Sequence, residues 1–333
     1  MEKRRNRAND FTLLLLAATL GIAAAFAPGV QVQSDTVNWT DVAPTWSVDG
    51  QTIYFYSYRD GNAELYRMDP DGGNQTRLTH TEHHEWWMQP MKDGNRILVA
   101  SDKDSAEAFG GANLYILDLT SGAFERITNE PGNGWASFLR LAQDAGVAVY
   151  VRSDAFGLNV PVEIWVADLN EGIQYQYPDN PEHQNYAASI SNDGQSVFYA
   201  SKRNGKSGIY VNNLTATDEK QLYEVDGRVD AISASPDGQW LAFSIRAAIN
   251  AIVRTEDGSP EQQSAQREIY IARTDGSAVR RLTSSASMNM DPSWSPDSQT
   301  VAFGSTRLGF MDVFSINIDG TNERNLTRTS IQR

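Results

Sequence analysis

Six consecutive residues, His80-Thr81-Glu82-His83-His84-Glu85, put three imidazoles and two carboxylates into one short polar stretch. Such donors suit a hard or borderline divalent ion. Their spacing is not that of a helix-borne His-Glu-x-x-His, so a solvated loop whose charges pair with each other is the competing expectation. Close by in type are the rings of Trp86, Trp87, Trp135 and Tyr186, which could form a stacking surface for a sugar or peptide. Ordinary packing is the alternative for each ring taken singly. Asp230 and Asp291 offer carboxylates that could gather a cation, although Asp291 precedes Pro292 and could simply cap a turn. Arg59, Arg203 and Arg307 recur at matching places and are expected to pair with nearby acids. No residue stands out as catalytic.

These groups are placed by a repeat. A phrase best kept in Asp291-Pro292-Ser293-Trp294-Ser295-Pro296-Asp297 runs from an apolar β segment into a tight turn, with Trp294 as its expected buried anchor. Its turn Asp returns at Asp49, Asp93, Asp144, Asp193, Asp237 and Asp297, in steps of 44, 51, 49, 44 and 60 residues. An acidic or small residue followed by an aliphatic and an aromatic comes next, as in Glu64-Leu65-Tyr66 and Glu268-Ile269-Tyr270. A third phrase closes each unit, as in Arg77-Leu78-Thr79 and Arg281-Leu282-Thr283, with Tyr175-Gln176-Tyr177 as a degenerate copy. With a further β run between the first two phrases, each unit holds four short strands. Repeats of about 40–50 residues with four strands predict an all-β, six-bladed β-propeller. Helical repeats would need apolar spacings of three and four, and these segments are short, β-branched or aromatic and punctuated by Asp-Gly turns.

Unit lengths differ in one link only. Extra residues fall between the second and third strands of units two, three and five, at 102–112, 153–162 and 246–267. In an up-and-down blade that link emerges on the same face as the connection to the next blade. The inter-blade connections hold every histidine, His80, His83, His84 and His183, together with the four rings named above. The opposite face carries short Asp-Gly turns, the chemistry of hairpins. One face therefore reads as chemically rich and the other as scaffold.

The formal charge is −14, and the first 34 residues hold four basic and two acidic side chains, leaving −16 on the rest. That field opposes nucleic acid and an anionic membrane surface as partners. The chain has no Cys, which excludes disulfides, thiolate metal sites and Cys nucleophiles. Lys3-Arg4-Arg5 and Arg7 precede an apolar run from Phe11 to Ala27, so residues 1–27 are expected to be a signal peptide, with an uncleaved N-terminal anchor as the alternative. Residues 28–40 are then a connector and 41–328 the propeller, expected to be a monomer.

The phrases Pro292-Ser293-Trp294-Ser295-Pro296-Asp297, Glu268-Ile269-Tyr270 and Arg281-Leu282-Thr283 resemble the repeats of TolB-like propellers, shared by the propeller domains of prolyl-oligopeptidase relatives. The resemblance implies a six-bladed β-propeller in a bacterial envelope, periplasmic or otherwise exported. TolB itself carries an α/β domain before its first blade and binds a peptidoglycan-associated lipoprotein, whereas only the connector stands there in this sequence. The peptidase relatives imply an α/β-hydrolase domain with a Gly-x-Ser-x-Gly elbow, and no such pentapeptide occurs. Some uronide lyases look similar in their repeats and hold a metal with His and Gln side chains, which would point to His83, His84, His183 and Gln184. Two functions are thus expected in order: a non-catalytic cell-envelope scaffold binding a protein, peptide or glycan, or a metal-dependent polysaccharide lyase or hydrolase with its site at the channel mouth.

Overall fold

Each phrase of the repeat folds because it satisfies the backbone of another. In the turn phrase, the Ser295 hydroxyl donates to the Asp297 carboxylate at 2.5 Å, which in turn accepts the Gln299 N–H at 3.0 Å. The Thr300 N–H donates back to Ser295 Oγ at 2.9 Å, and the same clasp recurs at Ser47, Ser191 and Ser235. The third phrase is read by its Thr: Oγ1 of Thr79, Thr128, Thr283 and Thr327 accepts the N–H of the aliphatic residue in the second phrase. Its Arg reaches the second-phrase acid, at 2.8 Å for Arg77 and Glu64 and 2.5 Å for Arg281 and Glu268. The repeated letters are hydrogen-bond partners.

A computed structural model describes residues 41–105, 111–129, 134–154, 162–177, 183–246, 253–254, 260–261 and 266–327. Residues 1–40, with the expected signal and connector, lie outside them. The chain is an all-β six-bladed propeller, each blade a four-stranded antiparallel sheet whose strands follow one another in the chain, apart from the short pair inserted in blade five. The blades occupy residues 41–77, 85–126, 135–176, 184–225, 228–281 and 289–325. Their first and innermost strands are Asp41–Trp46, Glu85–Pro90, Trp135–Ala142, Gln184–Ile190, Arg228–Ala234 and Asn289–Trp294. Within blade five, a two-stranded pair (Val253–Arg254 with Pro260–Glu261) lies in the link between second and third strands. All three insertions take that link, though most of their residues fall outside the described set.

The apolar core lies between blades. Trp294 is 5% exposed and packs with Ala242, Ile269 and Phe303 across the boundary of blades five and six, as expected for the anchor. Blade six meets blade one directly: Val313 and Leu326 pack with Ile53 and Phe55, and the Asp41 N–H donates to the Met311 carbonyl at 3.1 Å. Gly72 completes this seam. At φ +91° it holds a backbone shape that favours glycine, and a Cβ there would stand 2.1 Å from the Leu326 carbonyl oxygen. The recurrent arginines pair with acids, Arg59 with Asp41, Arg203 with Glu219 and Arg307 with Glu323, as their repeat positions suggest. The turn-bearing face differs from the bare scaffold expected of it, because the channel opens there into a cavity of about 280 Å3.

Candidate functional site

Side chains of the inner strands face one another around the axis, so any irregularity in those strands sets what the channel presents. Every inner strand is irregular at nearly the same height. In four blades the residue six before the turn Asp has a left-handed backbone: Ala43 (φ 49°), Trp87 (37°), Phe138 (49°) and Asp291 (52°). For a bulky aromatic residue that shape costs about 1–3 kcal/mol and persists only where the surroundings enforce it. The ladder shifts register across each of them. In blades four and five it skips a single residue, Tyr186 and Asp230. Four of the six residues singled out for binding, Trp87, Tyr186, Asp230 and Asp291, are therefore bulge residues, and bulges re-aim side chains next to sites.

The rings divide into two groups. Trp86 is 1% exposed, stacks on the His84 ring at 5.1 Å with planes 5° apart, and lies 5.3 Å from Trp135 in the next blade. Its indole N–H donates to the Tyr58 hydroxyl at 2.9 Å. Trp87 is 5.1 Å from Phe138, again across the boundary of blades two and three. Trp86, Trp87 and Trp135 are buried, so their faces are spent on joining blades one to three. Tyr186 differs. It is half-buried, with the Arg228 guanidinium 4.2 Å over its ring.

That arginine belongs to the main charged cluster of the channel. Asp230 meets Arg228 Nε at 3.0 Å, Arg246 Nη2 at 2.7 Å and Arg267 Nε at 2.8 Å. Burial pushes its carboxyl up, but Arg267, Arg246 and Arg228 more than offset this and hold it below the usual range. The expected cation site is thus replaced by its opposite: among the described residues one carboxylate directly meets three guanidinium groups, with Asp291 acting on Arg267 from further off, so the contacts carry an excess of positive charge on an otherwise acidic chain. Arg228, the most exposed of the three, lies at the start of its strand, on the face that carries the insertions.

Asp291 has a different environment. Burial pushes its carboxyl up to about 6, with Arg140 and Arg267 opposing the shift and Asp230 adding to it. A folded pKa above the unfolded one stabilises the fold below about pH 4 and loses that contribution as pH rises through about 6. Asp291→Asn keeps a side chain that tolerates left-handed backbone. We expect it to raise stability at pH 7–8 by about 1–3 kcal/mol and to leave it nearly unchanged near pH 4. Urea denaturation at the two pH values checks this.

The histidine cluster does not assemble around one point. His84 is held by Asp102, whose carboxylate accepts its backbone N–H at 2.7 Å and lies 3.1 Å from its ring Nδ1. His183 sits instead within the electrostatic reach of Glu219, while Gln184 accepts the Tyr186 hydroxyl at 3.2 Å. Among the described residues no three His, Asp or Glu side chains gather closely enough to share a metal ion. The His83, His84, His183 and Gln184 set therefore does not fit the metal that the lyase resemblance implies. Of the two carboxylates in the 80–85 stretch, one is placed unlike a loop donor, and one further group here was passed over by sequence reasoning. Glu85 is fully buried, its carboxyl pushed up to about 8 by burial and by the neighbouring Glu64. Arg140 lies on the innermost strand of blade three and reaches Pro292 in blade six. Aligning the units would have marked Arg140, since the position four before the turn Asp is Thr, Gln or Ser in the other five blades.

Comparison with known proteins agrees with this architecture. TolB of the Tol-Pal system from Francisella tularensis is 25% identical over 206 residues, which is 60% of this chain and 44% of that protein. The chain thus spans less than half the length of that relative. The solved TolB of Acinetobacter baumannii superposes with a TM-score of 0.60 at 19% identity, over 87% of this chain and 63% of that one. An oligogalacturonate lyase of Vibrio parahaemolyticus superposes at 0.55 with 12% identity, over 84% and 89% of the two chains. At such identities the structures speak for the fold alone. The TolB beta propeller domain family matches residues 145–332, more than half of the sequence. By that match and by its six repeated blades, the chain belongs to the TolB beta propeller family.

Proposed function

We propose that the protein is an exported, non-catalytic scaffold of the bacterial cell envelope, which holds an acidic segment of a protein, peptide or glycan at the insertion-bearing mouth of its channel. The observation that carries this reading is the cluster of Arg228, Arg246 and Arg267 around a single Asp230. Positive charge in a cleft of a chain with formal charge −14 is a local reversal, and it selects partners by complementarity. The insertions add to it, because loops on rigid scaffolds concentrate binding residues. Family membership and the basic, then apolar N-terminal sequence support export, with residues 1–27 as signal or anchor and a periplasmic location. The lyase alternative rests on likeness of fold at 12% identity.

Replacing residues 248–266 by the short link of blade six should leave folding nearly intact and weaken capture of envelope partners by about tenfold or more, equivalent to about 1.4 kcal/mol. A pull-down from envelope extracts with both proteins reads this out. Equal recovery by the shortened protein, together with loss of partners in Asp-Gly turn variants of the other face, would reverse the assignment of the faces.

A further inference from the structure

The cavity at the turn-bearing mouth is lined by all six blades. Its wall is a ring at one repeat position, four residues before each turn Asp: Thr45, Gln89, Arg140, Ser189, Ser233 and Ser293. Five members carry neutral hydrogen-bonding groups and the sixth is a cation. Arg140 spans the channel, donating from Nη1 to its neighbour Leu139's carbonyl at 2.9 Å and from Nη2 to the Pro292 carbonyl of the opposite blade at 3.4 Å. Its Nε is buried and meets no acceptor, and no carboxylate lies within ion-pair distance of its guanidinium among the described residues. Burial works against its charge, which only the more distant Asp291 supports. A partly buried guanidinium with no carboxylate in contact is costly, and its planar fork matches the oxygens of a carboxylate or phosphate.

We infer that this mouth is a binding site for a small oxyanion, held by Arg140 and by the hydroxyl and amide groups of the ring. The size of the cavity agrees, since 280 Å3 admits a ligand of a few heavy atoms but no folded partner. Asp144 at the rim does not bar an anion, because its carboxylate is already matched by Lys92 at 2.9 Å and Asn192 at 2.7 Å. This site lies at the opposite end of the channel from the proposed partner mouth and stands independently of it.

Isothermal titration calorimetry of the whole chain with inorganic phosphate and, separately, with acetate tests the inference and tells which oxyanion geometry fits. The wild-type protein should bind at least one of them. Arg140→Gln should weaken that binding by about tenfold or more. Ser293→Glu, which places a carboxylate next to Pro292 and hence beside Arg140, should abolish it by occupying the site from within, without lowering Tm. Binding of neither anion by the wild type, or unchanged binding by Ser293→Glu, overturns the inference. The second variant also decides the matter if Arg140→Gln fails to fold.

Discussion

Asp230→Ala should cost the protein about 3–5 kcal/mol at neutral pH, because it removes the buried carboxylate that Arg228, Arg246 and Arg267 all meet. Arg267 makes the loss severe. Its side chain is 1% exposed, so water cannot replace the carboxylate, whereas Arg228 is 29% exposed and can turn outward. The pH dependence has a definite sign. Asp230 is held below its ordinary pKa, so its contribution is present above about pH 4, the unfolded value, and is lost as pH falls through the folded one. It therefore stabilises where Asp291 costs, and the two carboxylates should give opposite slopes in a plot of stability against pH. Guanidinium chloride would screen these charges, so urea titration of the wild type, Asp230→Ala and Asp230→Ala with Arg267→Met is the suitable measurement. The double variant should recover part of the loss. A cost under about 1 kcal/mol for Asp230→Ala would mean that the cluster is solvated.

Truncating Trp294 to alanine should cost about 3–5 kcal/mol, the range for removing a large buried aromatic side chain. Both blades pay. The ring packs with Ile269 and Ile271 of blade five and Phe303 of blade six, and its indole N–H donates to the Ser233 carbonyl at 3.1 Å. Trp46 occupies the same repeat position in blade one but is only partly buried, and its indole nitrogen has no hydrogen-bond partner. Trp294→Phe should accordingly destabilise by about 1 kcal/mol more than Trp46→Phe, the net value of one hydrogen bond. Equal costs for the two Phe variants would mean that the bond to Ser233 contributes nothing.

Architecture was legible in the sequence because each phrase of the repeat is one half of a local hydrogen-bonding device. Asp297 and its five counterparts mark turns, and the Thr of Arg281-Leu282-Thr283 marks the outer strand, whatever the rest of the blade contains. Position along the channel was legible too, since Trp87, Tyr186, Asp230 and Asp291 all lie at bulges of the inner strands. What each would touch was not. A bulge is a mismatch between two strands, so nothing in one strand alone records it. Burial of Trp86 and Trp135 depends on the neighbouring blade, and the partners of Asp230 come from three strands, the farthest 37 residues from it in sequence. Arg140 was hidden differently: it is legible only as the exception to a column of small polar residues.

Because each sheet is formed by its own consecutive strands among the described residues, the boundary between blades six and one is the one that no described linker crosses. It is held by the Ile53, Phe55, Val313 and Leu326 cluster and by a few hydrogen bonds. The ring is thus an open chain whose blades close by packing, and the unlinked boundary is interchangeable with any other. A circular permutant opened between blades three and four, with the old ends joined, preserves every sheet and merely moves the unlinked boundary. Likewise a gene can gain or lose a whole blade in one in-frame event without orphaning a strand, so blade number in such a lineage is set by how many wedges pack around the axis and not by any strand that must find its mate across the seam.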